Sequence, residues 1–120
     1  MKIAEPDWKL FTALKNRALD RYCRATLVDA AEICTQPLPS ESTGQVVAPD
    51  RYRELFWLVS ERNRRIAEVF DGHSRSRALL QLMQIVRLNL LATDELAAFS
   101  DETQELIERA RELAAENDIV

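Results

Sequence analysis

Two glycines and four prolines constrain this chain more than any other residues. Gly44 and Gly72, with Pro6, Pro37, Pro39 and Pro49, fall at one terminus, in one linker and at one tight turn. Glycine and proline cost roughly 1 and 3 kcal/mol in a helix interior relative to alanine. Long stretches free of both therefore mark where helices run. The spacing predicts an all-α fold: an antiparallel four-helix bundle with a long linker between its first two helices. A single domain spans residues 1–120, with helices at about 7–34, 50–70, 74–91 and 94–117 and a linker at 35–49.

Periodicity assigns faces to these helices. At 100° per residue, Phe11, Leu14, Ala18, Tyr22, Ala25 and Ile33 share one face of the first helix. Leu19, Cys23, Leu27, Ala30 and Cys34 form a second apolar flank beside it. An arc this wide touches more than one neighbour. The linker is expected to pin Val46 and Val47 to the bundle. Asp50 suits the N-cap of the second helix, whose inner stripe reads Tyr52, Leu55, Val59, Ile66, Val69 and Phe70. Asp71-Gly72 closes it. The third helix is apolar nearly all round, with Ile85 and Leu88 pointing away from the main stripe. The last helix turns Leu106, Ile107, Ala110, Leu113 and Ala114 inward.

Charge is unevenly spread. Residues 51–90 carry eight arginines and four acids, net +4; residues 91–120 carry two arginines and nine acids, net −7. The simplest expectation is that these two regions attract each other across a helix interface. No apolar run reaches the roughly 18–20 residues that a membrane span needs. Residues 1–7 have no apolar core of a secretory signal. Cys23 and Cys34 share one helix, about 16 Å apart, too far for a disulfide. Two unpaired thiols point to a reducing cytoplasm.

Three charged residues interrupt the apolar stripes. Asp29 shares the inner face of the first helix with Tyr22 and Ile33. Arg62 sits between Val59 and Ile66, and Arg87 lies among Met83, Leu90 and Leu91. A buried unpaired charge costs several kcal/mol, so each needs a partner. A buried or half-buried cluster of Asp29, Arg62 and Arg87, with Tyr22 filling a leftover bond, is expected to set the register of three helices. Asp29→Ala is then expected to destabilise the fold much more than Asp20→Ala. Trp57 is the reverse case, an aromatic residue on a polar face about 180° from Ile66. With Ile85 and Leu88 it forms the candidate interface. Arg64, Arg65, His73, Arg75 and Arg77, around the turn between the second and third helices, form a candidate anion site.

Catalytic and metal signatures are sparse. One histidine and two cysteines on the same helix make no zinc site of ordinary spacing. All-helical nucleotide pyrophosphohydrolases hold magnesium with a Glu-Glu-x-x-Glu motif. Glu102, Glu105, Glu108 and Glu112 follow a solvated-face pattern instead and lack the doubled glutamate. There is no Gly-rich phosphate loop and no nucleophile elbow. The expectation is a protein without catalytic, cofactor or metal residues. The helical layout is similar in outline to small bacterial export and flagellar chaperones, which bind partner helices; no residue motif carries this likeness, and it transfers no site.

The reading that follows is a small non-catalytic helical bundle, an adaptor or chaperone-like module. Its partner is another protein chain or itself, as a dimer. An anion- or nucleic-acid-binding domain is the first alternative, though the third helix is too apolar to lie in a groove. A small enzyme with a polar pocket around Asp29 is the second.

Overall fold

The computed structural model describes residues 3–119, with side chains through residue 116; residues 1, 2 and 120 lie outside it. Its elements are α-helices and one 3-10 turn: α1 (Glu5–Thr35), the turn Glu41–Thr43, α2 (Ala48–Phe70), α3 (Ala78–Arg87), α4 (Thr93–Ala97) and α5 (Asp101–Ile119). Pro6 sits in the first turn of α1 and Pro49 in that of α2, where proline loses no intrahelical bond. The N-cap of α2 is Val47, so Asp50 lies inside the first turn and favours the helix dipole there. Helix α1 stops at Gln36, which takes the extended backbone that a following proline imposes. Helix α2 ends at Asp71, which turns to extended backbone, and Gly72 follows at φ 81° in the turn rather than as the left-handed cap expected of it.

Helix α3 is shorter than the sequence predicts. Asn89 adopts φ 58°. Its N–H donates to the Val86 carbonyl, and the Leu90 N–H reaches the Ile85 carbonyl at 3.3 Å. This is a Schellman closure with asparagine in the glycine position. A second break, at residues 98–100, separates the short α4 from α5, in keeping with the second capping signal at Ser100-Asp101-Glu102.

Pairings between α1 and α2 run in reverse order, Tyr22 against Phe70, Asp29 against Arg62 and Ile33 against Arg51. The two helices are therefore antiparallel. Helix α3 packs on both of them and on α5. The buried core gathers Phe11, Leu14 and Ala18 from α1, Val69 and Phe70 from α2, Leu79, Leu82, Ile85 and Val86 from α3, then Leu91, Phe99 and Ile107. Every one of these lies at one end of the α1–α2 pair. Among the described residues, none from 19 to 68 is buried. The radius of gyration is 19.0 Å and the extents are 63 × 34 × 24 Å. A compact chain of this length would have a radius near 14 Å. The molecule is thus a packed base with a two-helix arm standing out of it.

Several expected inward positions are exposed as a result. Tyr52 and Val59 on α2 and Leu113 on α5 face outward, and Val46 is 78% exposed rather than pinned down. Helical periodicity finds an apolar stripe; whether a third helix arrives to cover it depends on the lengths of the elements. With α3 only ten residues long, it covers the base alone.

Candidate functional site

Two buried charges hold the base, and neither belongs to the expected cluster. Asp7, in the first turn of α1, reaches across to the start of α5. Its carboxylate accepts from the Ser100 N–H at 2.9 Å, the Ser100 hydroxyl at 2.6 Å and the Thr103 hydroxyl at 2.6 Å. Burial alone would raise its pKa, but these hydrogen bonds outweigh burial and hold the carboxyl below its usual range. Lys15 is the second. It lies four residues from both Phe11 and Leu19, on the edge of the core face, and donates to the Gly72 carbonyl. Burial pulls its pKa down, Asp71 pulls it up, and Arg77 adds to the lowering. Gln81 also donates to the carbonyls of Asp71 and Gly72, so two side chains fix this turn.

Glu95 ties α4 to α1. It accepts from the Ala92 N–H at 2.8 Å, reaching back over its own helix start, and pairs with Arg21 at 2.6 Å and Arg17 at 3.0 Å. The Arg21 hydrogen bond first, then the Ala92 N–H, lower its pKa to about 2 against the opposing effect of burial. Here the ion pairs correct the expectation from net charge. The bases of residues 51–90 pair with Glu5, Asp29, Asp50, Glu61 and Glu68, and the acid Glu95 of the last segment pairs with α1. Among the described residues, no ion pair joins the basic middle to the acidic end.

Asp29 and Arg62 do meet. Arg62 donates to Asp29 at 2.7 Å and to the Thr26 hydroxyl at 3.1 Å, and its guanidinium lies 5.8 Å from the centre of the Tyr22 ring. This seam joins the two helices of the arm and is half-buried, with 43% of the Asp29 side chain exposed. Arg87 takes no part in it. The end of α3 is level with Arg21, which donates to the Leu90 carbonyl at 2.8 Å. Asp29 lies eight residues beyond Arg21, about 12 Å farther along α1, out of reach of α3. Instead Arg87 is exposed beside Arg65, Glu68 and Gln84 in a surface depression of about 240 Å³.

The candidate interface divides. Trp57 is 67% exposed and makes an edge contact with Phe56. Ile85, by contrast, is 1% exposed in the core, and Leu88 is half-buried against it. Helix α3 is sandwiched between the α1–α2 pair and α5, so its second apolar face is covered inside the chain. The candidate anion site divides as well. Arg64 pairs with Glu61 and Glu68 on its own helix. Arg75 donates to the Ile3 carbonyl and to Glu5, pinning the start of α1. His73 packs against Trp8 in a tilted contact with ring centres 4.5 Å apart. Arg65 lies in the depression with Arg87, and Arg77 lies near Gly72. These five residues do not converge on one point.

What the arm displays is apolar surface. Leu27, Tyr52 and Trp57 are each more than two-thirds exposed, and Val28 and Phe56 more than half. The side of the α1–α2 pair opposite α3 carries the flank Leu19, Cys23, Leu27, Ala30 and Cys34 on α1. Beside it runs the row Tyr52, Phe56 and Val59 on α2. At its foot is an open depression of about 530 Å³ walled by Leu19 and Phe70, with Thr12, Lys15, Asn16 and His73 around it. Wheel positions alone place the α1 flank. An apolar arc this wide predicts a further neighbour for α1, yet Leu27 in its middle is left 68% exposed.

Among the described residues, no group of three or more His, Cys, Asp or Glu side chains is placed to hold a metal ion. No helix of the described residues is long and apolar enough to cross a membrane. Comparison with protein-family models, with curated proteins and with solved structures finds no match to this chain.

Proposed function

We propose that this chain works by binding another protein chain through its two-helix arm, as a non-catalytic adaptor or chaperone-like module. One observation carries this reading: residues 19–68 bury no side chain while exposing Leu27, Val28, Tyr52, Phe56 and Trp57. Leu27, Tyr52 and Phe56 lie on the side of the arm opposite α3, and Val28 on the other side of α1; exposed apolar surface on a folded protein marks an interaction site, and aromatic anchors are enriched where binding energy concentrates. A pair of antiparallel helices is half of a four-helix bundle. The full antiparallel bundle belongs to the assembly, with two helices from the arm and the rest from the partner. The long connection, residues 36–47, stands at the tip of the arm. Free Cys23 and Cys34 suit a reducing, cytoplasmic setting.

The alternatives draw less support. Arg64 and Arg75, which an anion site would need, already serve carboxylates. Asp29, around which an enzyme pocket would form, is taken up by Arg62. Affinity capture from the native cell tests the main reading. Wild type is expected to retain a protein partner that the Tyr52→Glu/Phe56→Glu variant loses. Identical capture by the two proteins would remove the arm from the account.

A further inference from the structure

The uncovered face of the arm has a length, a charge distribution and a centre, and together they specify an occupant. We infer that it is covered by the same face of a second copy of this chain, packed antiparallel about a two-fold axis. This inference rests on the reading that the arm binds protein, and names the partner.

Area comes first. The shared length of α1 and α2 is set by the 23 residues of α2. At 1.5 Å per residue and about 10 Å per helix, the face is roughly 35 by 20 Å, on the order of 700 Å². A standard stable interface buries about 800 Å² on each partner. One arm therefore matches another of the same size, and a single added helix would leave part of the face bare.

Register comes second. The α1 flank runs from Leu19 to Cys34 and centres on residues 26–27. The exposed α2 row, Tyr52, Phe56 and Val59, is continued by Phe70 in the wall of the depression at its foot, and this whole span centres on residue 61. The hydrogen bond from Arg62 to Thr26 puts those two centres at the same level of the arm. An axis through that level, perpendicular to the helices, lays each row on its own reversed copy. Leu27 then approaches Leu27 of the second copy. Tyr52 enters the depression between Leu19 and Phe70 of the second copy. Isologous contacts of this kind require such self-complementarity.

Charge selects the antiparallel sense. The tip half, residues 32–54, carries Glu32, Glu41, Asp50 and Glu54 against Arg51 and Arg53. Toward the base, residues 64–77 carry Arg64, Arg65, Arg75 and Arg77 against Glu68 and Asp71. Each region has a net charge of two by sequence, with opposite signs; Arg64 and Arg75 pair with Glu61 and Glu5, which leaves Arg65 and Arg77 to carry the positive charge of the base. Antiparallel packing brings each acidic tip to a basic base; parallel packing would set like against like.

The test combines sedimentation with cross-linking of the full chain. In a Cys23→Ser/Cys34→Ser background, Leu27→Cys is compared with Val28→Cys, which lies on the other side of α1. The expected result is a monomer–dimer equilibrium in wild type. Leu27→Cys should form the intermolecular disulfide at least tenfold faster than Val28→Cys. Phe56→Glu should abolish the dimer with an unchanged urea midpoint of the base at low concentration. A monomer at every concentration overturns the inference. So does a dimer that Phe56→Glu leaves intact, or one that Val28→Cys cross-links faster. A monomer that still captures a partner in a Phe56-dependent way sinks the second copy alone and leaves the binding role standing.

Discussion

The base and the arm are built from the same two helices by different forces. In the base, α1 and α2 are held by Phe11, Leu14, Ala18, Val69 and Phe70 inside a core that α3 and α5 complete. In the arm, the same helices keep their backbone hydrogen bonds but meet only each other, along the Asp29–Arg62 seam and the Arg51 bonds to the Ile33 and Gln36 carbonyls. Helical stability in proteins comes mostly from packing an amphipathic face. The contrast teaches that α1 is stable at one end because of what it buries, and exposed at the other because its third neighbour is missing.

Substitutions that separate the two regions give the sharpest tests. Phe11→Ala removes a fully buried ring and should lower stability by about 3–5 kcal/mol in urea titration. Phe56→Ala, in the arm, should change the midpoint of the monomer by less than about 0.5 kcal/mol. Similar losses at both sites would erase the distinction between base and arm. Asp7→Ala should follow, at about 3 kcal/mol, because it orphans the Ser100 and Thr103 donors at the start of α5. It should melt α5 from the base first, seen as faster amide exchange in residues 101–110 than in α3.

Acid should act on the base before the arm. Glu95 has its folded pKa lowered from 4.5 to about 2. Its contribution is therefore complete above about pH 4.5 and fades as pH falls toward 2. Asp7, also lowered, acts in the same direction. Urea midpoints should fall over this window, and Glu95→Gln should flatten the fall while lowering stability at neutral pH. A midpoint that rises on acidification would contradict the assignment.

The smallest effects belong to the seam. Asp29 is 43% exposed, so Asp29→Ala should cost at most about 1 kcal/mol, only modestly more than Asp20→Ala at about 0.3 kcal/mol. The large gap expected from a buried three-helix cluster is not anticipated from this geometry. Thermal melts of the two variants side by side would show which holds.

The long helices were legible from Pro37 and Pro49, because proline stops α1 through the residue before it and is tolerated only in the first turn of α2. The end of α3 was not, since asparagine enters the left-handed region without the glycine signal. Asp7 escaped notice because an acid in a first turn already has a local explanation in the helix dipole; its service to another helix is a tertiary fact. Lys15 did carry a signal, four residues from both Phe11 and Leu19. Arg62 finding Asp29 follows from helix pairing. The absence of Arg87 follows from where α3 stops, which no stripe reveals. Ile85 and Trp57 were both apolar residues off the main stripe, and only packing separates the buried one from the exposed one.

Amide hydrogen exchange as a function of protein concentration examines the two regions in one experiment. The account predicts constant, high protection in the base, around Phe11, Leu82 and Ile85, at every concentration. Protection in residues 19–34 and 52–66 should start low and rise as the second copy docks. Full protection of the arm in the most dilute sample, or no change with concentration, would contradict an arm that waits for its partner.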